Sequence, residues 1–77
     1  MFKVGDRVIC SGEVDDLDIS DRIGTIIHIS SGEISFKIKF DERFDGRLHG
    51  EDGMCWNVNK RNIKHYISKT LEGLMLD

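Results

Sequence analysis

From Glu33 to Asp41 the chain alternates without a break: Ile34, Phe36, Ile38 and Phe40 fall between Glu33, Ser35, Lys37, Lys39 and Asp41. Successive side chains of a strand point to opposite faces, so this period predicts a strand with those four apolar residues in the core and the polar set in water. A helix would scatter the same residues around its circumference. Just upstream, Ile23 to Ile29 is apolar and rich in β-branched residues, with Gly24 near its start, and predicts a second strand on which His28 faces solvent. Ser30-Ser31-Gly32 between them reads as a tight turn, with Gly32 supplying a positive φ. The two strands form a central hairpin.

The same reading extends outward. Val4 to Cys10, with Val8, Ile9 and Cys10 behind Gly5-Asp6, predicts a first strand. Ser11 to Arg22 follows as a loop carrying Glu13, Asp15, Asp16, Asp18 and Asp21. Glu42 to Gly53 is a second loop with Gly46, Gly50 and Gly53; Met54 to Val58 predicts a fourth strand, Asn59 to Asn62 a turn or single 3₁₀ turn, and Ile63 to Ile67 a fifth strand. A tail, Ser68 to Asp77, carries Leu71, Leu74, Met75 and Leu76 and is helix-compatible, although Gly73 costs about 1 kcal/mol there relative to alanine. Short strands with two long loops predict an all-β fold, a small five-stranded barrel over residues 1–67 with the tail at 68–77. Closure removes the sheet edges that so small a domain has few other means of protecting.

Composition narrows the functional classes. With 39% hydrophobic and 32% charged residues the 77-residue chain is globular rather than disordered, and it lacks the proline of a stiff linker. A formal net charge of −3 gives no general attraction to phosphate backbones. Cys10 and Cys55 are too few for a disulfide scaffold, no signal-peptide-like run opens the chain, and no stretch approaches the roughly 20 apolar residues that span a bilayer. The expectation is a cytoplasmic protein with reduced thiols and no membrane partner.

Asp16-Leu17-Asp18-Ile19-Ser20 begins like a calcium-binding EF-hand loop, but Asp21 stands where glycine is needed and Ile27 where the closing glutamate is needed. His28, His49, Cys10 and Cys55 lack the close spacing of a zinc site, and the cysteines read as small core residues. Asp41, Glu42, Asp52 and His49 are neighbours in sequence without forming a nucleophile–base pair, and so short a chain has little volume for a water-excluded pocket. Neither catalytic residues, metal nor cofactor is expected. Trp56 is the one tryptophan. If Cys55 faces the core, alternation sends Trp56 to the surface as a recognition anchor; otherwise Trp56 covers the barrel end as part of the core. Asp16 and Asp18 of the first loop and Arg47 and His49 of the second would flank it as walls of opposite sign. Lys60, Arg61 and Lys64, with no acid between Trp56 and Lys69, make up an alternative site for nucleic acid.

The opening Val4-Gly5-Asp6-Arg7-Val8, then Ile23-Gly24-Thr25-Ile26, then Ile38-Lys39-Phe40-Asp41-Glu42 resembles Src-homology-3-like barrels of the CAP-Gly and Mind-bomb types over about residues 4 to 65. The later Phe40-Asp41-Glu42, Gly46 and Gly50-Glu51-Asp52-Gly53-Met54-Cys55-Trp56-Asn57-Val58 is similar to small proteins of tailed bacteriophages with an FDE, a glycine-containing loop and then DGxCWxV. Asp45-Gly46-Arg47-Leu48-His49-Gly50 stands where CAP-Gly domains carry GKNDG, so their recognition of acidic-aromatic tails is not implied. The resemblance implies a Src-homology-3-like barrel and a phage accessory or host-directed role, without assigned chemistry. Together with the residues above, it leads to the expectation of a non-enzymatic module that binds a protein or peptide in the host cytoplasm.

Overall fold

The computed structural model describes residues 1–67, in which strands β1 (Arg7–Cys10), β2 (Glu13–Val14), β3 (Leu17–Asp18), β4 (Ile23–Ile29), β5 (Ser35–Phe40), β6 (Cys55–Asn59) and β7 (Ile63–His65) follow in chain order. Single 3₁₀ turns occupy Ser31–Glu33, Glu51–Gly53 and Lys60–Asn62, the last where a turn was expected, and the described residues contain no α-helix. The tail expected at Ser68 to Asp77 lies outside the described residues. A five-stranded sheet has the order β6-β5-β4-β1-β7, and β2 and β3 form a separate two-stranded ribbon. All pairings are antiparallel. The outer strands β6 and β7 are not paired with each other, so the sheet does not close into the expected barrel.

Two departures from regular alternation shape the central hairpin. Ile26 pairs with Ile38 but His28 pairs with Lys37, so Ile27 is an extra residue in β4. Such a bulge shifts the faces by one position. Ile26 and Ile29 therefore both face the core although they stand three positions apart, while His28 turns to water as expected. The second departure corrects the predicted core. Phe36, Ile38 and Phe40 are buried, but Ile34 is 74% exposed. It closes the Ser31–Glu33 turn with α-region dihedrals, φ −78° and ψ −41°, so the strand's alternation begins only at Ser35.

Gly24 lies opposite Phe40 on the inner face of β4. A Cβ there would stand 2.5 Å from the Lys39 carbonyl oxygen and 2.7 Å from Ile38 Cγ2, so only glycine lets the two backbones approach this closely.

The core corrects the expectation of two plain loops. Val14, Leu17 and Ile19 from Ser11–Arg22, and Leu48 from Glu42–Gly53, are buried in one cluster with Val8, Phe36 and Val58. Both segments are thus fastened by apolar anchors rather than hanging in solvent. Cys10 belongs to the same cluster, and burial pushes its thiol up to about 12. Asn62 is the buried polar residue that ties β1 to the turn before β7: its amide nitrogen donates to the Ser11 carbonyl at 2.8 Å, and the Ser11 amide donates to the Asn62 carbonyl at 2.8 Å.

Candidate functional site

The first loop returns to the sheet at β4 and the second leaves it after β5, and the Asp41 amide donates to the Ile23 carbonyl at 2.9 Å. Pairing of β4 with β5 therefore lays the end of one loop beside the start of the other. Within the first loop, Val14-Asp15-Asp16-Leu17 is a two-residue hairpin turn with Asp15 at φ 53° and Asp16 at φ 67°. Two left-handed central residues are the type I′ geometry, which suits the twist of a hairpin and which aspartate tolerates better than most residues.

Contacts then join the loops along a seam. The Trp56 indole N–H donates to the Val14 carbonyl at 3.1 Å. Arg47 Nη2 donates to the Asp16 carbonyl at 3.1 Å. Farther along, the Arg22 guanidinium lies 4.3 Å from the centre of the Phe44 ring, a cation–π contact, and Phe44 stands edge-on to Phe40 at 5.0 Å.

Trp56 and Cys55 settle into an arrangement that the alternation argument alone had left open. Trp56 lies opposite Ile38 and shares its inner face, packed half-buried against the core, whereas Cys55 lies opposite Lys39 on the outer face. Cys55 is nonetheless fully buried, because His49 pairs with it and the following Gly50 crosses over its side chain. At Gly50, with φ 74°, a Cβ would fall 2.9 Å from Cys55 Cβ. The expected dependence of one face on the other holds, but the burial of Cys55 comes from a covering loop and not from the core. Trp56 is consequently a support of the seam with its one polar atom already satisfied.

Of the remaining expected site residues, the fold gathers Asp16, Arg47 and His49 near Trp56: the His49 ring lies 5.4 Å from the indole. Arg47 is further held by Asp45, whose Oδ1 accepts its backbone N–H at 2.7 Å; this bond and the guanidinium keep the Asp45 carboxyl below the usual range. Asp18 turns the other way along the seam. Its Oδ1 accepts the Ser20 amide at 2.9 Å, which lowers its carboxyl, with a smaller contribution from the charge of Arg22. Lys60, Arg61 and Lys64 lie apart from this seam, on the last 3₁₀ turn and β7; all are exposed and none is paired with a carboxylate among the described residues.

Of the residues considered for catalysis, Asp41, Asp52 and His49 take separate partners. Asp41 receives both arms of Arg7, at 2.6 and 2.7 Å, and is held below the usual carboxylate range by that bond. Asp52 lies 3.8 Å from Lys39, and His49 lies against Trp56. His65 Nε2 meets Asp6 Oδ2 at 3.0 Å, and this bond lowers the Asp6 carboxyl. Among the described residues no group of three or more histidine, cysteine, aspartate or glutamate side chains is placed to hold a metal ion. No helix among them is long and apolar enough to cross a membrane.

At the far end of the seam from Trp56 lies a cavity of about 240 Å³ lined by Asp21, Arg22 and Ile23 on one side and Phe40, Asp41 and Glu42 on the other. The sequence places Asp21 among the acids of the first loop and Asp41-Glu42 among the carboxylates considered for catalysis, without joining them. The observed register decides it: with the bulge at Ile27, Gly24 pairs with Phe40 and Ile23 falls opposite Asp41, which a plain count outward from the Ser30–Gly32 turn does not give. No protein-family model matches the chain, and neither a curated protein nor a solved structure matches it.

Proposed function

We propose that the chain is a non-enzymatic binding module on a Src-homology-3-like scaffold, recognising a protein or peptide along the seam between its two loops. The sheet order, the long excursion between β1 and β4 and the 3₁₀ turn before the last strand support that scaffold type. The observation that carries the function is the seam itself: two loops fastened to each other and to the core, which offer a preshaped surface at small ordering cost. Asp16, Asp18, Arg47 and His49 supply charge and hydrogen-bonding groups along it, with Trp56 as its buttress. A phage accessory or host-directed role in the host cytoplasm rests on the sequence resemblance.

The test is capture of partners from bacterial lysate by the intact protein, identified by mass spectrometry, followed by binding kinetics. Asp16→Asn with Asp18→Asn keeps the left-handed backbone and the acceptor to Ser20 while removing two charges. Slower association of the captured partner with an unchanged melting temperature is the expected result; unchanged kinetics overturn the seam as the binding surface.

Lys60, Arg61 and Lys64, exposed and without a carboxylate partner among the described residues, favour a second reading, a nucleic-acid-associated module. It requires retention on nucleic acid that falls steeply with salt and is lost when these three residues are neutralised.

A further inference from the structure

We infer that the cavity between Asp21–Ile23 and Phe40–Glu42 seats one basic side chain, a lysine or arginine, of the partner. The inference rests on the binding-module reading and adds the partner's chemistry. At about 240 Å³ the cavity is smaller than the roughly 300–1,000 Å³ of ordinary small-molecule sites, and it suits a single long side chain. Its open apolar part is Ile23, half-buried; Phe40, 2% exposed at the end of β5, adds almost no free surface. Its charged part is unequal. Asp41 has both oxygens on Arg7, and Arg22 lies over Phe44 and close enough to Asp18 to act on it. Asp21 and Glu42 make no side-chain hydrogen bond or ion pair among the described residues, and both are exposed. A guest therefore meets the apolar side chain of Ile23 and two exposed, uncommitted carboxylates.

That combination matches an amphipathic cation, whose aliphatic stem lies along Ile23 while its head reaches the carboxylates. An acidic guest would be repelled, and an apolar one would strip water from the carboxylates without replacing it. The walls are also preformed: the Asp21 amide donates to the Cys10 carbonyl at 2.8 Å and the Asp41 amide to the Ile23 carbonyl at 2.9 Å. Little ordering is left for the guest to impose.

The probe is a blocked pentapeptide, glycine-serine-X-serine-glycine, with X as arginine, lysine, norleucine or glutamate, titrated into the intact protein by amide-resolved NMR. Arginine and lysine peptides should shift resonances of residues 21–23 and 40–44, and the norleucine and glutamate peptides should not. Asp21→Asn with Glu42→Gln should weaken that binding at least tenfold; asparagine tolerates the φ of 63° at position 21, so the fold survives. Glu13→Gln with Asp15→Asn, which removes the same charge from exposed positions outside the cavity lining, should leave it within twofold. Equal shifts with norleucine, shifts spread over all acidic residues, or equal losses in the two double variants overturn the inference. The captured partner separates the two readings. Capture that survives Asp21→Asn/Glu42→Gln removes the cavity and leaves the module; peptide binding at the cavity without any captured partner keeps the cation seat and removes the module.

Discussion

The β4–β5 hairpin and the β2–β3 hairpin are both antiparallel pairs, yet different forces hold them. The larger one has strands of seven and six residues, and its inner face places Ile26, Phe36, Ile38 and Phe40 in the core. The smaller has two residues in each strand and a turn made of Asp15 and Asp16, both left-handed. An isolated hairpin is marginal in water even when longer than this. The smaller one is held instead by what it docks on: Val14 and Leu17 sink into the core, and Trp56 and Arg47 take the Val14 and Asp16 carbonyls. A long strand pair brings its own ladder and its own buried face; a short one borrows stability from neighbours, and that dependence fastens the seam.

The largest effect should come from the face of the large hairpin. Phe36→Ala should cost about 3–5 kcal/mol in denaturant unfolding, a large part of the stability of a domain this size. A near-native midpoint would mean that the hairpin's inner face is not what holds the fold. Next, Gly24→Ala should lower stability by about 1–3 kcal/mol, because the added methyl meets the Lys39 carbonyl and Ile38 with no flexible side-chain end to move aside.

Smaller effects probe the borrowed hairpin. Trp56→Phe removes the indole donor while keeping most of the ring, and should cost about 1 kcal/mol. Hydrogen exchange should quicken at residues 13–18 and stay unchanged in β4 and β5; uniform quickening would erase the distinction between the hairpins. Acid tests the clamp between Arg7 and Asp41. The folded protein holds Asp41, Asp6, Asp18 and Asp45 below the ordinary carboxylate value. The stability they contribute is present above that value, about pH 4, and is lost as pH falls through the lowered values. Melting temperature should therefore drop below about pH 4, less steeply in Asp41→Asn than in the native chain. Smallest of all, Asp16→Gly should raise stability by about 0.5 kcal/mol, since glycine adopts the second position of a type I′ turn without a Cβ penalty. A loss would show that the Asp16 side chain contributes more than its backbone strain costs.

The amino-acid sequence by itself determined the all-β class, the β4–β5 hairpin, the positions of β1, β6 and the Lys60–Asn62 turn, and the burial of Phe36, Ile38, Phe40 and Cys10. Period-two alternation and turn residues are local properties, legible without knowing what lies opposite. Tertiary structure alone decided the rest. The bulge at Ile27 arises because Ile26 and Ile29 must both meet the core, and Ile34 is released to solvent because the turn extends one residue further than the alternation does. Val14, Leu17, Ile19 and Leu48 sit among charges and glycines with no sustained period, so nothing local marks them as buried. Cys55 shows the limit most directly. Alternation says only that it and Trp56 face opposite ways; that Cys55 is the outward one, and is buried all the same, depends on where the His49–Gly50 backbone crosses β6. Periodicity reports which side chains share a face, whereas the register between strands and the path of a covering loop decide what each face meets.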